Sequence, residues 1–452
     1  MSASRDLVDL AARLAHGARP EEEVEAYVTH ARTFETRAYD GEVESVSSAE
    51  PRGAGVRVVA DGRVGFAYTT DLDGVGLDDV VAAARDNASH ATADEAAGLA
   101  PSWERAPEDI PELVDAGQER VSPEQKTAFV LELERAARGQ DARVKAVEDA
   151  VYADSQSRVA IATSTGVTGV YERTDAWSYV VAIVEEDSDT QMGFEFGLAR
   201  SLQTLDPAWI AEMAVRRGLG VLGARKIPST KLPVVFDPYV AGQFLGVVGQ
   251  ALTGDAVQKG RSLFADKMGD RVAAEGLTLV DDGLKDAPGA APWDDEGVPT
   301  RRTEVISEGR LTSFLYDTRS ARREGRASTG NAARAGFKSV PHPSPTNLTF
   351  ESSAVTAEEV LRRAGRALLV QDFHGVHSGA NPVSGDFSVG ATGLLLDDGA
   401  PGQPVKEVTI AAPMLDILDR IEVVASDRRW LPFGGSYGGA TTLVSEMTIA
   451  GE

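Results

Sequence analysis

The chain of 452 residues, 42% hydrophobic and 25% charged, exceeds what one core of ordinary size organises, so two or three globular domains are expected. It contains no cysteine, which excludes disulfides, thiolate metal ligands and cysteine nucleophiles, and fits a reducing, cytoplasmic setting. A formal charge of −25 opposes binding to a phosphate backbone, and no uncharged apolar run approaches the roughly 20 residues that cross a bilayer, so neither nucleic acid nor membrane is an expected partner.

The N-terminal segment reads as an amphipathic helix over Arg5–His16, without the apolar core of a signal peptide. VEAYVTHARTFETRAYDGEVESVSS alternates as one strand or a pair, and GVRVVADGRVGFAYTT is a hairpin turning at Asp61-Gly62. Leu77–Ala91 is a helix with Val80, Val81 and Ala84 on its apolar side. The stretch ADEAAGLAPSWERAPEDIPELVDAG, rich in proline, alanine and acid, reads as a linker closing a first α/β domain over 1–110. A middle α/β domain, 120–226, opens on the capping-box pattern Ser122-Pro123-Glu124-Gln125, with a helix to about Arg138. Strands follow in VKAVEDAVYADSQSRVAIATSTGVTGVYERT and WSYVVAIVEED, then a helix over Asp206–Leu222. Both units read as helix, hairpin-like strands and closing helix, the pattern of a weak internal duplication.

From 231 to 452 the chain is β-rich. Strands are expected in TEVISEGRLTSFLYD (turning at Glu308-Gly309), NLTFE, RALLVQDF, FSVGATGLLLDDG, VKEVTIA and TLVSEMTIA, with helices over Ala357–Arg366 and near Met414–Arg420. Strands outnumber helices without βαβ alternation, so the class is α+β: N-terminal α/β units with hairpin strands and flanking helices, plus a larger β-rich C-terminal domain. The arginines between Arg301 and Lys338 are interrupted by Glu304, Glu308, Asp317 and Glu324. They read as a solvated face or as a surface for an acidic partner. The adjacent acids Asp281-Asp282, Asp294-Asp295 and Asp397-Asp398 fit loop turns better than acid/base pairs.

The segment Leu232–Asp270 holds a short apolar strand (Leu232–Phe236), a cap and first helical residue (Asp237-Pro238), and a glycine-studded helix carrying Val240, Phe244, Val247, Val248 and Ala251. Gly254-Asp255 is expected to end that helix, ahead of a loop with Lys259, Gly260, Arg261 and Ser262. The segment resembles the C-terminal domain of the TldD/PmbA family, the modulators of DNA gyrase. Catalytic TldD-type members carry His-Glu-x-x-x-His-x-x-x-Gly-Asp on this helix. Aligned on Gly254-Asp255, the histidine positions fall on Leu245 and Gln250 and the glutamate position on Gly246. A catalytic zinc site needs about three protein ligands and a base. Leucine and glycine offer no lone pair, a glutamine carbonyl is a poor zinc ligand, and the cysteine that the TldD-type site also uses has no counterpart here. Without the resemblance, the segment is simply a buried amphipathic helix.

A second match is Asn381-Pro382-Val383-Ser384-Gly385-Asp386-Phe387-Ser388, continuing through Gly390 and Gly393, which resembles the N-x-x-x-G-D-[FY]-S signature of PmbA-like domains. Its glycines would let an extended peptide approach the main chain; the plainer reading is a strand-to-strand corner in which Asp386 and Ser388 satisfy their own backbone. His374 and His377 lie beside Asp372, but a three-residue offset on a strand points them to opposite faces unless the chain turns at Gly375. RRWLPFGGSYGGATTLVSEMTIAGE resembles the family's C-terminal end, a glycine-rich loop leading into the last strand.

The resemblance implies a PmbA/TldE-like subunit without a metal of its own, inactive alone, in a heteromeric complex with a TldD-like chain that carries zinc. That complex would process or degrade small, unfolded or modified peptides in the cytoplasm. Asn381, Gly385, Asp386 and Ser388 would contact peptide, and Leu245, Gly246 and Gln250 would mark a degenerate metal motif. Alone, the chain could form a homodimer. Two other readings stay open on sequence: a stand-alone peptidase whose site includes His374 and His377, and a peptide-binding regulatory protein with no catalytic partner.

Overall fold

The computed structural model describes residues 2–104, 106–431 and 435–451, with side chains from Asp6 onward. The first unit comprises α1 (Ser2–Ala15), β1 (Glu22–Tyr39), β2 (Glu42–Ala49), β3 (Arg52–Ala60), β4 (Arg63–Thr69) and α2 (Gly74–His90). The second comprises α3 (Pro123–Gly139), β5 (Val144–Thr163), β6 (Thr168–Glu186), β7 (Asp189–Ala199) and α4 (Pro207–Gly220). The expected capping box is present, Ser122 accepting from the Gln125 N–H while the Gln125 side chain accepts from the Ser122 N–H.

These two units share one sheet, ordered β4-β3-β1-β5-β6-β7 with β2 on the far part of β1. β1 and β5 pair antiparallel from Glu25–Thr163 to Ala38–Ala150. Exchanging β1 with β5, β3 with β6 and β4 with β7 returns the same order, and α1 and α2 occupy places equivalent to α3 and α4. The repeated pattern in the sequence is thus a two-fold arrangement in the fold. Strands β1, β5 and β6 run 18, 20 and 19 residues, about 60 Å at ~3.3 Å per residue. Along β6, Ala176, Val180, Ala182 and Val184 are buried under the helices, while Arg173, Asp175, Trp177 and Tyr179 fall on the other face. Strand β7 has no counterpart in the sequence-based expectation. Its glycines look like strand breakers, but Gly193 is required because α4 lies on it: a Cβ there would sit 1.9 Å from the Ala214 carbonyl oxygen.

The C-terminal unit contains β8 (Thr230–Phe236), α5 (Pro238–Ala251), α6 (Gly254–Gln258), β9 (Leu279–Asp282), β10 (Arg302–Ser307), β11 (Arg310–Leu311), α7 (Thr318–Arg323), β12 (Ala332–Ala333), β13 (His342–Pro343), β14 (Leu348–Phe350) and α8 (Ala357–Ala364). It continues with β15 (Leu368–His374), α9 (Val376–Gly379), β16 (Asp386–Asp397), β17 (Ala400–Pro413), α10 (Met414–Asp419), β18 (Ile421–Val424), β19 (Arg429–Leu431), β20 (Tyr437–Gly439) and β21 (Thr442–Ala450). Two six-stranded sheets, β17-β16-β15-β8-β21-β18 and β11-β10-β9-β14-β20-β19, enclose α5, which touches both. The α+β class holds. Gly254 does not end α5: the helix stops at Ala251, and Thr253 caps the new short helix α6 by accepting from the Ala256 N–H.

Buried charge joins the units. Arg57 on β3 reaches Glu25 on β1 at 2.5 Å and Glu296 of the C-terminal unit at 2.8 Å, and Arg334 pairs with the same Glu25. All four side chains are buried. A second junction sets Glu195 (β7) against Arg429 (β19) at 2.6 Å and Arg217 (α4) against Asp237, the α5 cap, at 2.8 Å. The arginine-rich stretch after Arg301 is therefore neither a solvated face nor a free docking surface throughout. Arg319 and Arg323 pair with Asp94, Arg322 donates to the Leu99 carbonyl at 2.6 Å, and Arg334 is buried. The expected linker is likewise packed, with Leu99, Ala100, Ile110 and Leu113 buried. Burial pushes the Glu25 carboxyl up, but Arg334 and Arg57 outweigh it and hold it below the ordinary glutamate value. Its stabilising contribution is present above the unfolded-state pKa and is lost as pH falls through the lower folded-state value. Glu25→Gln is expected to cost about 3–5 kcal/mol in urea denaturation at neutral pH, and the variant should lose less stability on acidification than the parent.

Candidate functional site

Helix α5 places the three degenerate motif positions in different surroundings. Leu245 is completely buried in the C-terminal core. Gly246 lies under the Tyr437 ring, which a Cβ at that position would meet at 3.4 Å. Gln250 is exposed, and its Nε2 donates back to the Gly246 carbonyl at 3.2 Å. Gly242, Gly246 and Gly249 recur on one side of α5, where they admit Leu431 and Tyr437 of the β19–β20 hairpin. The donor set does not fit zinc. Among the described residues no group of three or more His, Cys, Asp or Glu is placed to hold a metal ion. Gly434 of the glycine-rich stretch lies outside the described residues.

The segment Asn381–Ser388 forms a corner entering β16. The Asn381 side-chain oxygen accepts from the Val383 and Ser384 N–H groups at 2.9 and 3.3 Å, and Gly385 (φ +82°) closes the turn by donating to the Asn381 carbonyl at 2.9 Å. Ser384 Oγ donates to Asp386 at 2.6 Å, and Asp386 and Ser388 are exposed on the same side of β16. The chain does turn at Gly375 (φ +71°), between His374 at the end of β15 and His377 in α9. His374 Nε2 lies 2.9 Å from Thr392 Oγ1, and its Nδ1 lies 3.8 Å from Asp372.

A cavity of about 820 Å³ opens between β6–β7 and the C-terminal unit, within the range of ligand sites. The open face of β6 supplies Tyr171, Arg173, Asp175 and Trp177; the first turn of α4 supplies Trp209; loop 286–300 supplies Trp293 and Asp294. Its arginines are already matched. Asp175 pairs with Arg173 and Arg200, each at 2.7 Å, and Arg200 also reaches Asp286 at 3.1 Å. Asp294 makes the expected turn, accepting from the Glu296 and Val298 N–H groups at 2.9 Å each. It is nevertheless buried, and burial reinforced by Glu296 pushes its carboxyl well up, toward the neutral form. Asp281 departs further from the loop expectation: it sits on β9, buried, with its pKa pushed up to about 6 by desolvation despite its hydrogen bonds with Asn331, Thr346 and Asn347. Sequence reasoning missed this cavity, because no linear spacing links its residues.

Three family profiles cover most of the sequence: PmbA/TldA metallopeptidase domain 1 over residues 24–88, the central domain over 117–222 and the C-terminal domain over 229–451. The chain belongs to the PmbA/TldD family. It is 29% identical over 449 residues to "Metalloprotease PmbA" of Escherichia coli O157:H7, spanning 99% of this chain and 96% of that one. It is 28% identical over 411 residues to a "Metalloprotease TldD homolog" of Haemophilus influenzae, with 87% and 83% covered. The crystal structure of TldE from Thermococcus kodakarensis superposes with a TM-score of 0.88 over 99% of this chain and 100% of that one; at 23% identity the likeness is one of fold.

Restoring the family motif by L245H, G246E and Q250H together is expected to give no stoichiometric zinc by atomic emission. Loss of the buried leucine alone should cost of the order of 3 kcal/mol in thermal or urea denaturation.

Proposed function

We propose that the chain is the non-metal, TldE-like subunit of a cytoplasmic two-chain metallopeptidase, with the zinc on a TldD-like partner. The observation that carries this reading is α5, where leucine, glycine and glutamine replace the ligands and base and an aromatic ring covers the glutamate position. The relatives named metalloproteases supply the reaction class, hydrolysis of peptide bonds. That reaction needs an activated water and a polarised carbonyl. Helix α5 offers no group for either, so the chemistry falls to the partner. The role left to this chain is to wall a chamber, hold substrate main chain and support the partner. Small, unfolded or modified peptides suit such a site, since an extended chain presents its amides for recognition whatever its side chains. Asn381, Gly385, Asp386 and Ser388 are the proposed contacts at the β16 corner, two of them with side chains exposed along one strand face.

The purified chain alone should contain no zinc and cleave no peptide. Mixed with a homologue carrying His-Glu-x-x-x-His, it should co-elute in size-exclusion chromatography and yield zinc-dependent cleavage. Zinc with cleavage in the isolated chain would overturn the proposal. Within the mixture, N381A/D386A should raise KM by roughly threefold to tenfold at unchanged kcat, the pattern of lost uniform binding; unchanged KM would remove the corner from the site.

A further inference from the structure

We infer that the outer edge of β7 and the cavity beside it bind an extended peptide, its main chain on the strand edge and a bulky, uncharged apolar side chain in the cavity. As a station for substrate this rests on the subunit reading above; as a binding site it stands on the geometry alone.

Four of the chain's five tryptophans, Trp177, Trp209, Trp293 and Trp430, line this one cavity although they come from β6, α4, a loop and β19. Aromatic rings supply large, rigid contact area to an apolar group. The arginines in the wall are spent on Asp175, Asp286 and Glu195. An acidic side chain entering there would lose its hydration without a free arginine to meet it, whereas an aromatic or aliphatic one has no charge to desolvate. One buried side-chain group of the wall is left to bond a ligand. Ser436 is only 5% exposed, and its Oγ has no partner among the described residues.

The strand edge makes the ligand a peptide and not merely an apolar compound. β7 ends the seven-stranded sheet. The Phe196 N–H donates to its own Glu195 carboxylate at 2.9 Å, and its carbonyl accepts from Arg429 at 3.0 Å. Both groups therefore point away from β6. By the two-residue alternation of an antiparallel ladder, the N–H and C=O of Leu198 turn to the same edge, where no strand among the described residues meets them. Gly197, Leu198 and Ala199 border the cavity. An extended chain laid along this edge alternates its side chains every second residue, which brings one of them over the tryptophans.

The test uses the full-length chain and its tryptophan fluorescence, titrated with the tryptophan-free peptide acetyl-Gly-Phe-Gly-Phe-Gly-amide. A saturable change is expected. Trp177→Ala and Trp430→Ala should each weaken binding about tenfold, the scale of losing contact with a buried aromatic, and Trp177→Phe should restore most of it. N-methylation of the peptide main chain should weaken binding to a similar extent. Circular dichroism establishes that each variant is folded. The inference is overturned if the parent chain gives no saturable change, if glutamate or lysine in place of phenylalanine binds as tightly, or if both alanine variants keep parental affinity. The subunit proposal is read separately, from zinc and cleavage in the two-chain mixture.

Discussion

The Glu25 carboxylate shared by Arg57 and Arg334 is the constraint on which the arrangement of units depends. Desolvating these groups costs several kcal/mol each, and the cost is offset only if β1, β3 and the 294–296 and 334 segments arrive together with both arginines in place. Tyr27 ties in next to it, donating to Asp295 at 2.8 Å while Arg334 lies over its ring at 4.8 Å. A hydrophobic seam would tolerate sliding; this one fixes register, because a shifted loop would strand a buried charge.

From that fixed loop the cavity follows. Trp293 and Asp294 immediately precede Asp295 and Glu296, so the anchor that joins the units also sets one wall. The opposite wall comes from the face of β6 turned away from the helices, which is left for the C-terminal unit. The second junction, Glu195 with Arg429 and Arg217 with Asp237, holds the other end and links β7 to the cap of α5 through Arg217, which reaches both Glu195 and Asp237.

Much of the fold was legible because its signals are local: the Ser122 capping box, the Asp61-Gly62 hairpin, and the alternation along β5, β6 and β16. The family was legible from two short stretches. What was not legible depends on contacts far apart in sequence. Strand β7 went unread, and its Gly193 is explained only by the helix lying on it. The arginines after 301 looked like surface because their partners, Glu25 and Asp94, lie more than 200 residues away. Tryptophans at 177, 209, 293 and 430 carry no joint pattern until the sheet and the C-terminal unit close on one another.

The glycine side of α5 also bears on how such a chain can change. Leu431 and Tyr437 sit close to α5 because Gly242 and Gly249 leave room: a Cβ would meet Leu431 at 2.4 Å from 242 and the Tyr437 ring at 3.1 Å from 249, but only at an ordinary 3.4 Å from 246. A histidine at 245 would enter an apolar core, whereas position 246 has room for a Cβ against the Tyr437 ring. A ligand set at 245, 246 and 250 therefore takes more than three exchanged side chains: the apolar core around 245 would have to open to accept an imidazole and give its ring nitrogens partners.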